Sequence, residues 1–114
     1  MKLLEKKITI VELQEMANQM FGNLVKAVVD INKKIIVVNA ELHSDQESLL
    51  IENGSQQQDL WGINLYPEFS KEDENFIEFD SMINLRPSEN NKSRFVENSA
   101  IRERIIRVVK DWVE

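Results

Sequence analysis

The chain contains no cysteine and only one histidine, His43, among its 114 residues. The absence of cysteine excludes disulfides, thiolate metal sites and a cysteine nucleophile. A single histidine also excludes a multi-histidine zinc site within one chain. No apolar run approaches the ~18 residues of a membrane span, and the short Leu3-Leu4 pair cannot serve as a signal-peptide core. We therefore expect a cytoplasmic protein with no membrane partner.

Glycine and proline are also scarce, with three and two residues, whereas 42% of the chain is hydrophobic and 30% is charged. This composition is typical of a globular domain and not of a disordered chain. The length predicts a single domain spanning residues 1–114.

The net charge of −6 conceals an uneven distribution along the chain. Residues 41–80 carry many acids and Lys71 as their only lysine or arginine, whereas residues 86–110 are rich in arginine and lysine. Because duplex binding depends on many phosphate contacts, this acidic balance argues against extended nucleic-acid binding. The basic region leaves room for a small-anion site. Alternatively, the acidic and basic segments neutralise each other across the fold.

Hydrophobic periodicity predicts the elements. The spacing Thr9-Ile-Val-Glu12 is that of a capping box and opens a helix, and Ser44-Asp-Gln-Glu47 repeats that spacing. A third helix begins near Asn98. The predicted strands are a short one within residues 1–7, then Leu24–Ile31, Ile35–Leu42, Leu60–Tyr66 and Phe76–Arg86. The order (β)-α-β-β-α-β-β-α predicts an α+β fold, a four- or five-stranded mainly antiparallel sheet with helices packed on one face.

Alternation along these strands predicts one apolar face and one polar face. The polar set is Asp30, Glu41, His43, Asn64, Tyr66, Asp80, Asn84 and Arg86. Asparagine and aspartate are poor strand residues, so their presence inside strands carries a propensity cost that a bound ligand would offset. Alternatively, these residues are ordinary cross-strand partners on a solvated face.

The loop after the last strand places basic and amide side chains ahead of a helix N-terminus. Such a loop favours a cradle for a small anion such as phosphate or carboxylate. The predicted ligand-binding residues are Asp30, Asn64, Tyr66, Asn84, Arg86, Asn91, Ser93 and Arg94. Alternatively, the arginines of this loop pair with the acidic segment.

A catalytic interpretation rests on Glu41, His43 and Asp80. Glu41 and His43 lie two residues apart and would share one strand face, where a divalent metal such as Mg²⁺ or Mn²⁺ would suit them better than Zn²⁺. The same three groups could act as general acid and base. No other cofactor is predicted. Ser81 is a poor nucleophile candidate because it lies on the predicted apolar face.

We therefore expect a non-catalytic module that binds a small anionic ligand or a protein partner through the polar sheet face and the basic loop. The first alternative is a metal-dependent or acid–base hydrolase. The second is an interaction protein that forms a homodimer through the partly apolar sheet face.

Three segments resemble a small prokaryotic family known as a domain of unknown function. They are Val25-Lys-Ala-Val-Val-Asp30 with Glu41-Leu-His-Ser-Asp45, then Asp59-Leu-Trp-Gly-Ile-Asn-Leu-Tyr-Pro67, then Phe79-Asp-Ser-Met-Ile-Asn-Leu-Arg-Pro-Ser88 with Asn91-Lys-Ser-Arg94. The resemblance covers nearly the whole chain and implies a bacterial or archaeal cytosolic protein. It implies no activity. One departure is Glu89-Asn90, where similar sequences carry Gln-Gly, and a lost glycine disfavours a tight backbone approach to a ligand.

Overall fold

The structure is a computed structural model that describes residues 1–114. Its elements are β1 (Lys2–Leu3), α1 (Ile10–Gln19), β2 (Val25–Asp30), β3 (Ile35–Val38), α2 (His43–Glu52), β4 (Leu60–Leu65), β5 (Ile77–Glu78) and α3 (Ser99–Trp112). The strands form one antiparallel sheet in the order β1-β3-β2-β4-β5. The predicted α+β class and element order are confirmed.

Side-chain caps fix the start of two helices. At α1 the predicted capping box forms, since the Thr9 hydroxyl accepts from the Glu12 N–H at 3.0 Å and the Glu12 carboxylate accepts from the Thr9 N–H at 3.2 Å. At α3 the Asn98 side chain accepts from two backbone N–H groups. Such caps satisfy N–H groups that have no partner inside the helix.

The capping box predicted at Ser44 is wrong, because α2 begins at His43, two residues earlier than a Ser44 cap would place it. Its N-cap is Leu42, which offers no side-chain acceptor. Two hydrogen bonds to the sheet hold this helix: His43 Nε2 lies 2.8 Å from the Ile63 carbonyl oxygen, and Gln46 Nε2 donates to the Lys26 carbonyl at 2.8 Å. Tertiary contacts therefore outweigh the local capping signal.

The main core lies on one face of the sheet, between the strands and helices α1 and α3. Strand residues such as Ala27, Val29 and Ile63 are fully buried there. Helix α1 contributes Leu13 and Ala17, and helix α3 contributes Ile105, Val108 and Val109 at helical spacing. This packing confirms the apolar face predicted from strand alternation.

The prediction that all helices pack on one face is wrong. Helix α2 covers the opposite face, where its Leu50 joins Val28, Val37 and Leu60 in a second buried cluster. The physical reason is that β2 and β3 carry aliphatic residues on both faces, so both faces need cover. The face predicted to be open and polar is therefore covered by α2. The homodimer expected through that face stays a prediction.

The last predicted strand, Phe76–Arg86, is much shorter than expected. It pairs with β4 only at Ile77–Glu78, after which the chain turns through two short 3₁₀ helices, Met82–Asn84 and Pro87–Glu89. Alternating residues are thus a poor guide here, because the Ser81 hydroxyl accepts from the Ile83 N–H and starts a turn. Serine competes with strand pairing in this way.

Where β5 ends, side chains replace its backbone as hydrogen-bond partners of β4. The Asn84 carboxamide oxygen accepts from the Gly62 N–H at 2.8 Å, and its NH₂ donates to the Gly62 carbonyl at 2.9 Å. The Arg86 guanidinium donates to the Leu60 carbonyl at 2.8 Å. These side chains satisfy backbone groups of β4 that a longer β5 would have satisfied.

This arrangement requires glycine in the middle of β4. A Cβ built on Gly62 would lie 2.6 Å from both the Cβ and the Oγ of Ser81 and 3.1 Å from a side-chain carbon of Ile83. The turn after β5 therefore packs directly on the Gly62 backbone, and no other residue leaves enough room.

We predict that Gly62→Ala lowers the free energy of unfolding by about 1–3 kcal/mol, because the added methyl overlaps Ser81. The measurement is urea denaturation followed by tryptophan fluorescence. The Ser81→Gly/Gly62→Ala double variant should lose less stability than the two single variants together, since Ser81→Gly removes the atoms that clash. Additive losses would contradict this account.

Candidate functional site

The predicted polar residues are mostly buried and bonded to the protein itself. Asp30 is fully buried; one carboxylate oxygen accepts from the Asn32 and Lys33 N–H groups, and the other accepts from the Ser55 hydroxyl at 2.6 Å. This carboxylate therefore closes the β2–β3 turn. Its presence in a strand has a structural explanation.

Asn64 in β4 and Tyr66 just after it both contact the carboxylate of Glu78 in β5. The Asn64 NH₂ and the Tyr66 hydroxyl both donate to the same oxygen of Glu78, at 2.8 and 2.9 Å. Burial raises the pKa of Tyr66 to about 12, with further contributions from Glu78, Asp80 and Glu68. Asn64 Oδ1 is buried without a partner.

Arg86 faces inward. Its guanidinium donates to the carbonyls of Gln57 and Leu60 and lies 3.9 Å from the centre of the Trp61 ring. Burial lowers the pKa of Arg86, while Glu89 and Glu47 oppose the shift. Its hydrogen-bonding groups are directed to the protein, where they fix the segment before β4 to the last turn.

The basic loop, residues 87–97, is held in place by hydrogen bonds of its asparagine side chain Asn91. The Asn91 NH₂ donates to the carbonyls of Asn84 and Phe95 at 2.7 Å each, and its oxygen accepts from the Glu97 N–H. The Ser93 hydroxyl donates to the Glu97 carboxylate. Asn84 and Asn91 thus hold the loop together, which is a role that in-strand alternation does not reveal.

Arg94 is the exposed cation of the predicted ligand set. Its guanidinium donates to Asp80 at 2.7 and 3.3 Å, and both side chains are about half exposed. Arg94 therefore pairs with the acidic segment of residues 41–80, as the alternative to a ligand site expects. Exposed pairs of this kind contribute little to stability.

Glu41 lies apart from the other two residues of the catalytic interpretation, whereas Asp80 pairs with Arg94, which lines the same cleft as His43. Glu41 lines a cleft together with Asp45 and Glu52, whereas His43 is buried against β4 and lines a small cleft with Arg94. No group of three or more histidine and carboxylate side chains is placed to hold a metal ion. The strand alternation that would have put Glu41 and His43 on one face does not apply, because β3 ends at Val38 and His43 opens a helix.

The largest cleft lies along β5 and includes Tyr66 and Asp80 of the predicted polar set. We call this cleft, of about 630 Å³, the acidic groove. Its charged lining residues are all acidic: Glu68, Glu74, Glu78 and Asp80. Its aromatic lining residues are Tyr66, Phe69, Phe79 and Phe95. The sequence signal that could have found it is the interleaving of rings and carboxylates between residues 66 and 80.

A second charged cleft of about 370 Å³ has the opposite sign. It lies between the β2–β3 turn and α3 and is lined by Lys34, Arg104 and Arg107, with one carboxylate, Asp111. None of the three cations forms a salt bridge, although Arg104 donates to the Ile31 carbonyl. We call it the basic cleft.

The family described as "Protein of unknown function (DUF5674)" matches residues 2–112. The chain belongs to this family. Membership confirms the resemblance drawn from the Leu-Trp-Gly-Ile-Asn-Leu-Tyr-Pro and Ile-Asn-Leu-Arg-Pro blocks. No curated protein and no solved structure matches the chain. None of its helices is long and apolar enough to cross a membrane.

In this family member, Ile-Asn-Leu-Arg-Pro contains the Asn84 and Arg86 side chains that bond to β4. The Gly62 to which Asn84 bonds lies in the Leu-Trp-Gly-Ile-Asn-Leu-Tyr-Pro block. The two sequence blocks that carry the resemblance are therefore in direct contact.

We predict that His43 makes the protein less stable in mild acid. Burial lowers the pKa of His43 below its usual value of 6.5, so the folded state binds the proton less readily than the unfolded state. Its contribution to stability is fully present above pH 6.5 and is lost as the pH falls through 6.5 toward the lower folded-state pKa.

Unfolding free energies from denaturation at pH 7.5, 6.5, 5.5 and 5.0 test this prediction. Because His43 is the only histidine, His43→Gln isolates its contribution while the carboxylates titrate equally in both proteins. The stability of the wild type should fall further than that of the variant over this range. Parallel pH profiles would contradict the prediction.

Proposed function

We propose that this protein is a non-catalytic, cytoplasmic binding module whose acidic groove holds a basic segment of a protein partner. The observation that carries the proposal is the lining of the groove, which combines carboxylates and aromatic rings without any lysine or arginine. Its volume of about 630 Å³ fits a few side chains of a partner.

The carboxylates favour a cationic occupant. Glu68 and Glu74 are exposed and form no salt bridge, whereas Asp80 is paired with Arg94. Carboxylates gathered in one concave surface repel each other and raise the local concentration of cations. A guanidinium or ammonium group would relieve that repulsion and form charge-assisted hydrogen bonds.

The aromatic rings supply the second half of the recognition. Phe79 and Phe95 pack edge to face with centroids 6.2 Å apart, and Phe95 keeps 46% of its surface exposed. Ring faces attract cations, and Arg102 already provides an intramolecular example, 4.9 Å from the centre of the Phe95 ring. Rings beside carboxylates therefore suit a segment with both basic and apolar side chains.

The separation of Glu41 from His43 supports a non-catalytic role. Catalysis by acid and base groups needs them within hydrogen-bond reach of one substrate atom. The hydrolase alternative stays a prediction without a specific geometric observation in its favour.

We predict that Glu68→Gln/Glu74→Gln weakens binding of a basic peptide about five- to tenfold, because two unpaired carboxylates of the groove are neutralised. The probe is fluorescein-labelled acetyl-Lys-Ile-Lys-Ile-Arg-Ile-amide, and the measurement is fluorescence anisotropy at low ionic strength. The matched control is Glu41→Gln/Glu52→Gln, which removes the same charge from the separate cleft that contains Asp45.

The control variant should bind the peptide within about twofold of the wild type, since its charges lie outside the groove. Equal weakening by both double variants would mean general attraction by net charge and would count against the groove. Sedimentation of the protein alone, run in parallel, reports whether the homodimer of the sequence-based alternative forms.

A second candidate function is the binding of a small anion, which the basic cleft favours. Lys34, Arg104 and Arg107 converge there without any salt-bridge partner, although acids outnumber bases 20 to 14 in the chain. Three cations beside the single carboxylate of Asp111 leave an excess of positive charge, which a bound anion would neutralise. Phosphate and carboxylate groups match guanidinium pairs in geometry.

We predict that pyrophosphate raises the melting temperature of the wild type and that Arg104→Gln/Arg107→Gln abolishes this rise, because a ligand that binds only the folded state stabilises it. Thermal-shift assays check this. The Arg94→Gln variant tests the loop predicted from sequence, and Lys6→Gln/Lys7→Gln is the charge-matched control. Loss of the rise in the control alone, or in none of the variants, would contradict the basic cleft.

A further inference from the structure

The outer edge of β5 has free backbone groups. The Tyr66 N–H donates to the Phe76 carbonyl at 2.9 Å, which makes these two residues a hydrogen-bonded pair. Hydrogen-bonded and non-hydrogen-bonded pairs alternate along antiparallel strands, so the next pair, Leu65–Ile77, is non-hydrogen-bonded. The N–H and C=O of Ile77 therefore point away from β4.

The free edge extends beyond β5. Neither the N–H nor the C=O of Phe79, two residues further on, forms a hydrogen bond within the protein. By contrast, the backbone groups of β4 that have no partner in β5 form hydrogen bonds with the side chains of Asn84 and Arg86. Unpaired groups along a sheet edge form a template for another strand.

The free edge and the acidic groove coincide, because Ile77, Glu78 and Phe79 all line the groove. We infer that the basic segment of the partner binds by adding a strand to the outer edge of β5. This inference rests on the function proposed above and specifies its geometry. Main-chain hydrogen bonds would then hold the segment, and every second side chain would contact the groove and determine specificity.

Strand addition also specifies the sequence pattern of the partner. Side chains of an added strand alternate between the two faces of the sheet. Those on the face of Glu78 and Asp80 meet carboxylates, whereas those on the face of Ile77 and Phe79 meet apolar groups. The segment that fits therefore alternates basic and apolar residues.

The experiment uses the full chain and three forms of the hexapeptide acetyl-Lys-Ile-Lys-Ile-Arg-Ile-amide. One form is unmodified, one carries backbone N-methyl groups on its basic residues, and one carries them on its isoleucines. Alternate N–H groups of a strand point to opposite edges, so one methylated form loses its bonds to β5 and the other keeps them. We expect one form to bind about tenfold more weakly and the other to match the unmodified peptide.

Equal affinities of the two methylated peptides, whether both are weakened or neither is, would overturn strand addition. Binding of the unmodified peptide that depends on Glu68 and Glu74 would in that case still support the acidic groove. Failure of the unmodified peptide to bind would overturn both. A second readout is amide hydrogen exchange: peptide binding should slow exchange at Ile77 and Phe79, and unchanged exchange there would overturn the inference.

Discussion

The pairing of the Asn84 carboxamide with the Gly62 backbone is the interaction on which the second half of the structure depends. One amide side chain accepts from an N–H and donates to a carbonyl of the same residue, as a neighbouring strand would. A buried peptide group without partners costs about 1–3 kcal/mol for each unmet bond. By meeting both, Asn84 allows β5 to stop early and the chain to turn away from the sheet.

The early turn creates both the buried loop and the open groove. Because the chain leaves the sheet after Glu78, Asn84 and Arg86 pair with one stretch of β4, and no strand pairs with the outer edge of β5. A β5 that continued to Arg86 would have filled the region where Asn84 and Arg86 now bond. The asparagines that seemed to mark a ligand site are thus the means by which a short strand is tolerated.

Most charged side chains of this protein form no salt bridge. Its two salt bridges, Arg86–Glu89 and Arg94–Asp80, use few of its charges; four acids line the groove along β5, and three cations line the basic cleft beside α3. Surfaces of opposite sign steer partners of opposite charge and contribute to specificity more than to stability.

Local signals in the sequence determined the α1 capping box, the β2–β3 hairpin, the amphipathic α3 and the α+β class, because side-chain period and caps act over a few residues. Tertiary structure alone decided that α2 crosses to the other face, since both faces of β2 and β3 need cover. It also decided that Asn64, Asn84 and Arg86 satisfy the protein's own backbone and side chains, because their partners are distant in sequence. The acidic groove likewise exists only after folding, which brings Phe95 beside residues 66–80.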